Sequence, residues 1–267
     1  MRQEARSLRG RRRLGPVVEG DMSAGRVRIP SPYRDRIARV REELLRRKLD
    51  GYLICDRMDQ IWLTGFTGED GAVLITDTRV VLLTDGRFDE TADREAPWAR
   101  KVLRKQRTPD VTARELRRYR LSRVGFDPRR LDVATYAGLR PAAKPTRLVA
   151  VANLIGGMRL IKDAGEVEKI RRAIRIAERV FKRVAGRIRP GMSERAIAAK
   201  LVYEMQAAGA QGPSFPPIVA VGANGSLPHY EPGDAQVSGR HGVLIDWGAR
   251  CDWYVSDLTR MVWPGSV

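Results

Sequence analysis

Two aspartates near the end of the sequence have the residue type and spacing for metal chemistry. Asp246 and Asp257 lie eleven positions apart within DWGARCDWYVSDLTRMVW, between hydrophobic runs. If VLIDWG and WYVSDLTRMVW form antiparallel strands joined by a tight turn at Cys251 and Asp252, then Asp246 lies directly opposite Asp257. The two β-carbons are then roughly 5 Å apart on one face, where like charges repel. The pattern therefore predicts a cation between the two carboxylates.

Other polar motifs have a structural interpretation when the residues are taken alone. His229, between a proline and a tyrosine, is expected to be a surface loop histidine, and His241 a turn residue before a strand. Asp85 and Arg87 in DGRF are expected to stabilise a turn. The GANGS segment at 222–226 lacks the strand-then-helix context of a phosphate loop, so it is also expected to form a turn.

The segments before these motifs alternate between helix and strand patterns. An amphipathic helix is predicted from Tyr33, followed by a buried strand at 51–55 (GYLIC). The runs at 72–76 and 80–84 predict paired strands around a three-residue turn. This alternation predicts an α/β domain over residues 31–155. Its remaining elements are expected in VTARELRRY, RVGFD, DVATYAGL and RLVAV.

A second domain, of α+β type, is expected over residues 156–267. Asp163 and Glu166 fit a capping box at the start of a long helix, which Pro190-Gly191 is expected to end. Ser193 is a suitable N-cap for the next helix. Turn signals between short apolar runs then indicate strands. The predicted apolar faces of the two helices are Val167, Ile170, Ile174, Ala177, Phe181, Val184 and Ile188 in the first, and Ile197, Leu201, Met205 and Ala208 in the second.

Length and composition indicate a globular protein. The chain has 267 residues, of which 43% are hydrophobic, enough to bury a core. Residues 1–30 lack a helical or strand period and are expected to form a disordered basic tail. We expect no membrane span and no secretory signal. Cys55 and Cys251 show neither a disulfide framework nor a metal-ligand spacing, so reduced thiols and a cytoplasmic location are expected.

The formal net charge of +18, with a pI near 10.8, raises the question of a nucleic-acid partner. The arginines are spread over helix faces between carboxylates, and no aromatic platform accompanies them. We therefore expect solvated helix faces and no nucleic-acid binding. A surface for an anionic partner is the alternative interpretation.

Four motifs, in order, resemble a known family. The succession MRLIKDAGEVEKIRRA, RPGMSERAIAAKL, GPSFPPIVAVGANGSLPHYEP and VLIDWGARCDWYVSDLTR closely resembles the first half of the metallopeptidase domain of Xaa-Pro aminopeptidases and prolidases, in metallopeptidase family M24. The earlier GYLIC, WLTGFTGEDGAVLIT and LLTDGRFDETA resemble the creatinase-like N-terminal domain of that family. The resemblance covers the chain from about residue 33 onward.

The resemblance implies a creatinase-like α/β domain followed by a pita-bread domain that binds two divalent metals, commonly manganese, with cobalt or zinc as substitutes. Asp246 matches the aspartate that holds one metal, and Asp257 the aspartate that bridges both. His229 matches a histidine near the substrate and leaving group. Thr259 and Arg260 match outer-sphere supports. A proline-containing peptide is the implied substrate, and a homodimer the implied assembly of a complete protein.

The sequence departs from the family pattern at its end. The family completes its site with one histidine and two glutamates further along, whereas only LTRMVWPGSV follows Asp257. We expect a fragment of a metal-dependent Xaa-Pro peptidase that uses a metal-activated hydroxide. Truncation is expected to leave the apolar face of the long helix exposed. The alternatives are an inactive binding or regulatory module and metal-free hydrolysis in the manner of creatinase, against which the intact aspartates count.

Overall fold

The structure is a computed structural model and describes residues 28–264. The chain divides into two compact units between Leu160 and Ile161. The tail predicted at 1–30 lies outside the described residues, apart from its last three. None of the helices found in residues 28–264 combines the length and apolar character needed to cross a membrane.

The N-terminal unit contains six α-helices, a short 3₁₀ helix at Gly86–Phe88 and six strands within its described residues. The boundary expected near residue 155 falls within the last of these helices. The helices are α1 (Tyr33–Arg47), α2 (Arg57–Thr64), α3 (Asp89–Glu95), α4 (Thr108–Arg118), α5 (Val133–Ala142) and α6 (Leu154–Arg159). The strands are β1 (Gly51–Ile54), β2 (Gly71–Thr76), β3 (Val80–Thr84), β4 (Arg100–Leu103), β5 (Arg123–Phe126) and β6 (Arg147–Ala150).

These strands form one mixed sheet in the order β4-β3-β2-β1-β5-β6. The β2–β3 hairpin pairs Gly71 with Thr84 and Ile75 with Val80, which confirms the predicted pairing. The connections through helices make β1–β5, β5–β6 and β3–β4 parallel. Apolar side chains are buried on both faces of the sheet, beneath helices on each side. This is the expected α/β architecture.

Asp85 and Arg87 of the DGRF motif belong to this unit and form part of an ion-pair network. Arg87 binds Asp85 at 2.7 Å and Asp70 at 3.2 Å, and Arg104 also contacts both carboxylates. The Asp85 side chain caps the following turn by accepting from the Arg87 N–H at 3.0 Å. The motif thus stabilises the end of β3.

The C-terminal unit begins with two helices, and strands follow. The helices are α7 (Ala164–Ala185) and α8 (Glu194–Ala207). The strands are β7 (Gly212–Pro213), β8 (Ile218–Val221), β9 (Val243–Trp247), β10 (Ala249–Cys251), β11 (Tyr254–Val255) and β12 (Leu258–Val262), with a 3₁₀ helix at Gly222–Ser226. They form two antiparallel sheets, ordered β11-β10-β7 and β12-β9-β8.

The predicted start of α7 is confirmed in detail, and its predicted end is wrong. Asp163 accepts from the Glu166 N–H at 2.8 Å, and Glu166 accepts from the Asp163 N–H at 2.9 Å, which is a complete capping box. The helix ends at Ala185 with Gly186 as its C-cap, before Pro190-Gly191. The N–H groups of Arg187 and Ile188 bond to the carbonyls three residues earlier, Val184 O at 2.9 Å and Ala185 O at 3.2 Å, so the last turn tightens and the α-helix ends before the proline.

The apolar face of α7 is covered, so the prediction that it is exposed is wrong. Its centre is Ala173, Ile176, Ala177, Val180 and Val184, all buried. These residues pack in one core with side chains of α8 and of β8, β9 and β10. Within the described part of this unit, α8 and the two small sheets therefore cover the apolar face of α7.

Candidate active site

Asp246 lies in β9, which pairs with β12, and Asp257 lies immediately before β12, but the register differs from the prediction. In the antiparallel pair, Asp246 lies opposite Thr259, and Trp247 lies opposite Leu258. The prediction that Asp246 lies directly opposite Asp257 is therefore wrong. Asp257 lies two residues before Thr259, diagonal to Asp246, and diagonal neighbours have Cα atoms roughly 7–8 Å apart.

The difference arises at the turn of the hairpin. Cys251 pairs with Tyr254, so the turn residues are Asp252 and Trp253. Both have positive φ, 49° and 69°. A two-residue turn of this kind matches the twist of the strands, although glycine or asparagine usually occupies it. Moving the turn by one residue moves each cross-strand partner by two.

A shift of two positions preserves the face on which a side chain lies, because side chains alternate with a period of two. Ser256 is buried, and Asp257 and Thr259 are exposed. If the alternation continues one residue before β12, Asp257 lies on the same side as Thr259, and with it Asp246. The sharing of one face stays a prediction, now with the two carboxylates in a diagonal arrangement.

A close contact at Gly248 shapes the chain between the two aspartates. The Ser214 N–H donates to Gly248 O at 2.9 Å, and the Ser214 hydroxyl donates to Ser256 O, also at 2.9 Å. A β-carbon at Gly248 would lie 1.9 Å from Ser256 O. Only glycine fits this approach, so Gly248 sets the separation of the strand segments that carry Asp246 and Asp257.

The carboxylates are available to a cation. The Thr259 hydroxyl donates to Asp246 Oδ1 at 3.0 Å, while the Arg260 guanidinium donates to Thr259 O at 2.8 Å. Within residues 28–264, neither Asp246 nor Asp257 forms an ion pair with a lysine or arginine. The predicted outer-sphere residue Thr259 thus contacts Asp246 directly, and Arg260 contacts the backbone beside it.

The buried side of β9 holds the strand on α7. Trp247 is 1% exposed. Its Nε1–H donates to Ala177 O at 3.0 Å, and its ring stacks on Phe181 with centroids 4.5 Å apart. Because Trp247 adjoins Asp246, this contact fixes the strand position from which the Asp246 carboxylate projects.

The structure does not join either histidine to the aspartates. His229 is exposed in the turn that follows the 3₁₀ helix. Within residues 28–264 it forms no hydrogen bond or ion pair. His241 Nδ1 lies 3.0 Å from the Ser238 hydroxyl, in the loop before β9, which agrees with its interpretation as a turn residue.

The donor set fits a divalent metal in kind and is incomplete in number. The carboxylate oxygens of Asp246 and Asp257 are a kind of ligand that Mn²⁺ prefers. No group of three or more histidine, cysteine, aspartate or glutamate side chains able to hold a metal occurs in the described part of the chain. Two carboxylates leave both charge and coordination of such an ion unsatisfied.

Glu194 is a buried polar residue that no motif in the sequence indicates. It follows the N-cap Ser193 and is 0% exposed. Burial disfavours its charged form. Hydrogen bonds donated by Asn224, Tyr230 and the Val221 and Gly233 N–H groups outweigh burial and lower the pKa of Glu194. In the sequence it resembles an ordinary first-turn acid.

Comparison with known proteins defines the class. Residues 36–161 match the model of the creatinase/prolidase N-terminal domain, and residues 168–267 match the model of metallopeptidase family M24. The fold is thus a creatinase-type domain followed by a pita-bread domain. The chain belongs to metallopeptidase family M24, which confirms the resemblance inferred from its motifs.

Relatives and solved structures give the same result. The chain is 32% identical over 217 residues to the uncharacterized peptidase YqhT of Bacillus subtilis, covering 81% of the chain and 62% of the relative. It superposes on the Xaa-Pro dipeptidase of Bacillus anthracis with a TM-score of 0.83 at 29% identity, covering 88% and 66% of the two chains. For the X-Pro aminopeptidase of Thermotoga maritima, the TM-score is 0.79, the identity 30% and the coverage 85% and 64%. The chain therefore spans slightly less than two thirds of each of these proteins.

Proposed function

We propose that the chain belongs to a metal-dependent Xaa-Pro peptidase, which removes an N-terminal residue before proline or cleaves Xaa-Pro dipeptides. The observation that carries the proposal is the hydrogen bond from the hydroxyl of Thr259, two residues after the exposed Asp257, to the half-buried Asp246 carboxylate. Family membership and the printed names of the similar proteins support the choice of substrate.

In this proposal each residue has a role that its position supports. Asp246 and Asp257 hold two divalent ions, Mn²⁺ or else Co²⁺ or Zn²⁺, and residues outside those described complete the ligand set. When bound, such ions generate hydroxide at neutral pH and polarise the scissile carbonyl. Thr259 orients the Asp246 carboxylate, and Arg260 fixes the strand at Thr259. The exposed His229 contacts the peptide near its leaving group.

We also propose a homodimer and a cytoplasmic location. The homodimer remains a prediction from the family resemblance alone, and the cytoplasmic location remains a prediction that two free thiols support. Cys55 and Cys251 are free in the structure. Because the chain covers 62% to 66% of the similar proteins named above, the activity of the whole protein is part of this proposal.

The test combines metal binding with peptide hydrolysis. Because the two aspartates alone leave the ion incompletely coordinated, Mn²⁺ binding is measured by calorimetry on a longer version of the protein that includes the downstream coding sequence, and on its variants D246N, D257N and D252N. Asp252 is the matched control, because it lies in the turn of the same hairpin and pairs with Arg172 at 3.1 Å. Hydrolysis of Xaa-Pro dipeptides and of longer peptides is measured on the chain and on a version that includes the downstream coding sequence.

We expect Mn²⁺ binding to be lost in D246N and D257N and retained in D252N. We expect hydrolysis by the longer version to require the metal. The proposal is overturned if Mn²⁺ binding is unchanged in both D246N and D257N, or if the longer protein cleaves no Xaa-Pro peptide.

A second candidate is an inactive family member that serves as a binding or regulatory module. It is favoured by the absence of a third acidic, histidine or cysteine ligand beside the two aspartates within residues 28–264, and by the net charge of +18. This candidate predicts salt-sensitive binding to an acidic partner that persists with a chelator and in D246N. Metal-dependent hydrolysis excludes it.

A further inference from the structure

The loop that carries His229 connects the 3₁₀ helix Gly222–Ser226 to β9. We propose that Glu194 is the positioning residue of this loop, which holds the chain on both sides of His229 against the start of α8. The assignment rests on the proposed function for the role of His229 in catalysis, whereas the anchoring itself follows from contacts in the structure.

Both oxygens of the Glu194 carboxylate bind donors that flank His229. Oε1 accepts from the Val221 N–H at 2.8 Å and from Asn224 Nδ2 at 2.9 Å, both before the histidine. Oε2 accepts from the Tyr230 hydroxyl at 2.7 Å and from the Gly233 N–H at 3.0 Å, both after it. One side chain therefore joins the two ends of the segment that contains His229.

Backbone hydrogen bonds attach the later part of the loop to the same helix end. The Glu194 N–H donates to Ala235 O at 3.1 Å, and the Arg195 N–H donates to Gly233 O at 3.0 Å. The Val237 N–H donates to Met192 O at 2.9 Å. The first N–H groups of a helix have no partner within it, so the loop satisfies groups that otherwise need water.

Glu194 is a buried carboxylate, so its charged form depends on hydrogen-bond donors that neighbouring segments supply. Within residues 28–264 the carboxylate forms no ion pair with a lysine or arginine. A buried carboxylate without hydrogen bonds is unfavourable, and here its side-chain partners come from the segment 221–233. Movement of the loop removes the two donors after His229, the Tyr230 hydroxyl and the Gly233 N–H, so the carboxylate resists that movement.

Glu204 provides a matched control on the same helix. It is also buried, but its partners are Lys200 at 3.3 Å on α8, Arg183 at 3.5 Å on α7 and Arg187 at 3.9 Å just after α7. Loss of its side chain therefore removes a buried carboxylate from α8 without removing a contact to the His229 loop.

The two histidines of the chain make the test direct, because a histidine-selective NMR spectrum contains ring signals from His229 and His241 alone. The spectra of E194A, E194Q and E204A are compared with that of the parent chain. Amide exchange at Val237 is measured in the same samples, because its N–H bonds to Met192 O and not to Glu194. Near-UV circular dichroism reports the fold of each variant.

In E194A we expect the His229 ring signals to shift and narrow, because the exposed ring is then carried by a more mobile loop. We expect the Val237 amide to exchange at least about tenfold faster, as loss of a charge-assisted hydrogen bond implies. E194Q keeps one acceptor oxygen and should show a smaller change in the same direction. E204A should change neither quantity. If E194A does not fold, the same two measurements on E194Q test the inference.

Unchanged His229 signals and Val237 exchange in E194A, or in E194Q where E194A does not fold, overturn the inference. Equal changes in E204A also overturn it, since they indicate a general loss of helix stability. In a hydrolytically active version, E194A should lower kcat while Mn²⁺ affinity stays constant. If the parent protein cleaves no Xaa-Pro peptide, the proposed function fails, and the NMR result still decides whether Glu194 anchors the loop.

Discussion

Thr259 lies directly opposite Asp246 in the β9–β12 pair and donates its hydroxyl hydrogen bond to Asp246 Oδ1 at 3.0 Å. Antiparallel pairing alone places the two residues side by side, and the hydrogen bond then fixes the orientation of the carboxylate. One oxygen of Asp246 is thereby engaged, and the other remains free to bind a cation. The second aspartate, Asp257, lies two residues along the strand from this support.

Replacing Thr259 with valine should weaken divalent-cation binding about tenfold, because groups that orient a metal ligand typically contribute this much to affinity. Valine keeps the β-branched shape that suits a strand and removes only the hydroxyl. The measurement is Mn²⁺ titration by calorimetry. T259S is the control, since it retains the donor and should bind with nearly the parental affinity. Equal affinities in T259V and the parent contradict the orienting role.

Gly248→Ala should disrupt the separation of the two aspartates. The added methyl group would lie 1.9 Å from Ser256 O and 2.2 Å from Ser214 Oγ, so the strands must move apart. We expect a loss of about 3 kcal/mol in the free energy of unfolding, which is at the upper end for overpacking, together with loss of Mn²⁺ binding. Urea unfolding and metal titration measure the two effects.

Gly225→Ala is the control for this substitution. Its β-carbon would lie 3.5 Å from Leu244 Cβ, an ordinary contact, so the change should be tolerated. Full stability and metal binding in G248A would show that the strands separate freely at this point.

Local signals in the sequence predict much of this fold. The capping box of Asp163 and Glu166 involves residues three positions apart, so its pattern is visible before any tertiary structure forms. The β2–β3 hairpin was predictable for the same reason. The end of α7 was not, because Gly186 is one of several places at which the chain can leave a helix, and packing selects among them.

Sequence alone predicts a shared face for the two aspartates and does not predict their register. Alternation along a strand depends only on sequence, so Asp246 and Asp257 could be assigned to one face. The register depends on the turn, and Asp252-Trp253 lacks the glycine that normally marks positive φ. Glu194 was missed because its partners lie 27 to 39 residues away and are brought to it by folding.

Replacing Trp247 with phenylalanine should lower the free energy of unfolding by about 2 kcal/mol. The ring stack on Phe181 survives, but the hydrogen bond to Ala177 O is lost and the smaller ring leaves a space in the core. Urea unfolding followed by near-UV circular dichroism measures the change. Trp263→Phe is the control, because Trp263 is 60% exposed and its loss should cost at most about 0.5 kcal/mol. Similar losses in both variants contradict the structural role of Trp247.

The stability of the N-terminal unit should depend on pH through Asp127. The Arg129 side chain donates hydrogen bonds to this carboxylate, and with the Arg129 and Asn153 N–H groups it lowers the pKa of Asp127 to about 2, despite burial. An unfolded aspartate has a pKa of about 3.9. Since the folded value is the lower one, the stabilisation is present above about pH 4 and is lost as pH falls through about 2.

Comparison with D127N isolates this contribution from other carboxylates that titrate in the same range. Thermal unfolding of the chain and of D127N is followed by calorimetry from pH 7 to pH 2. We expect the chain to unfold at the higher temperature at pH 7, and the difference to shrink between about pH 4 and pH 2, because the protonated carboxyl loses the charge that Arg129 recognises. A difference that stays constant over this range would mean that Asp127 stabilises the fold through shape and neutral hydrogen bonding rather than through its charge.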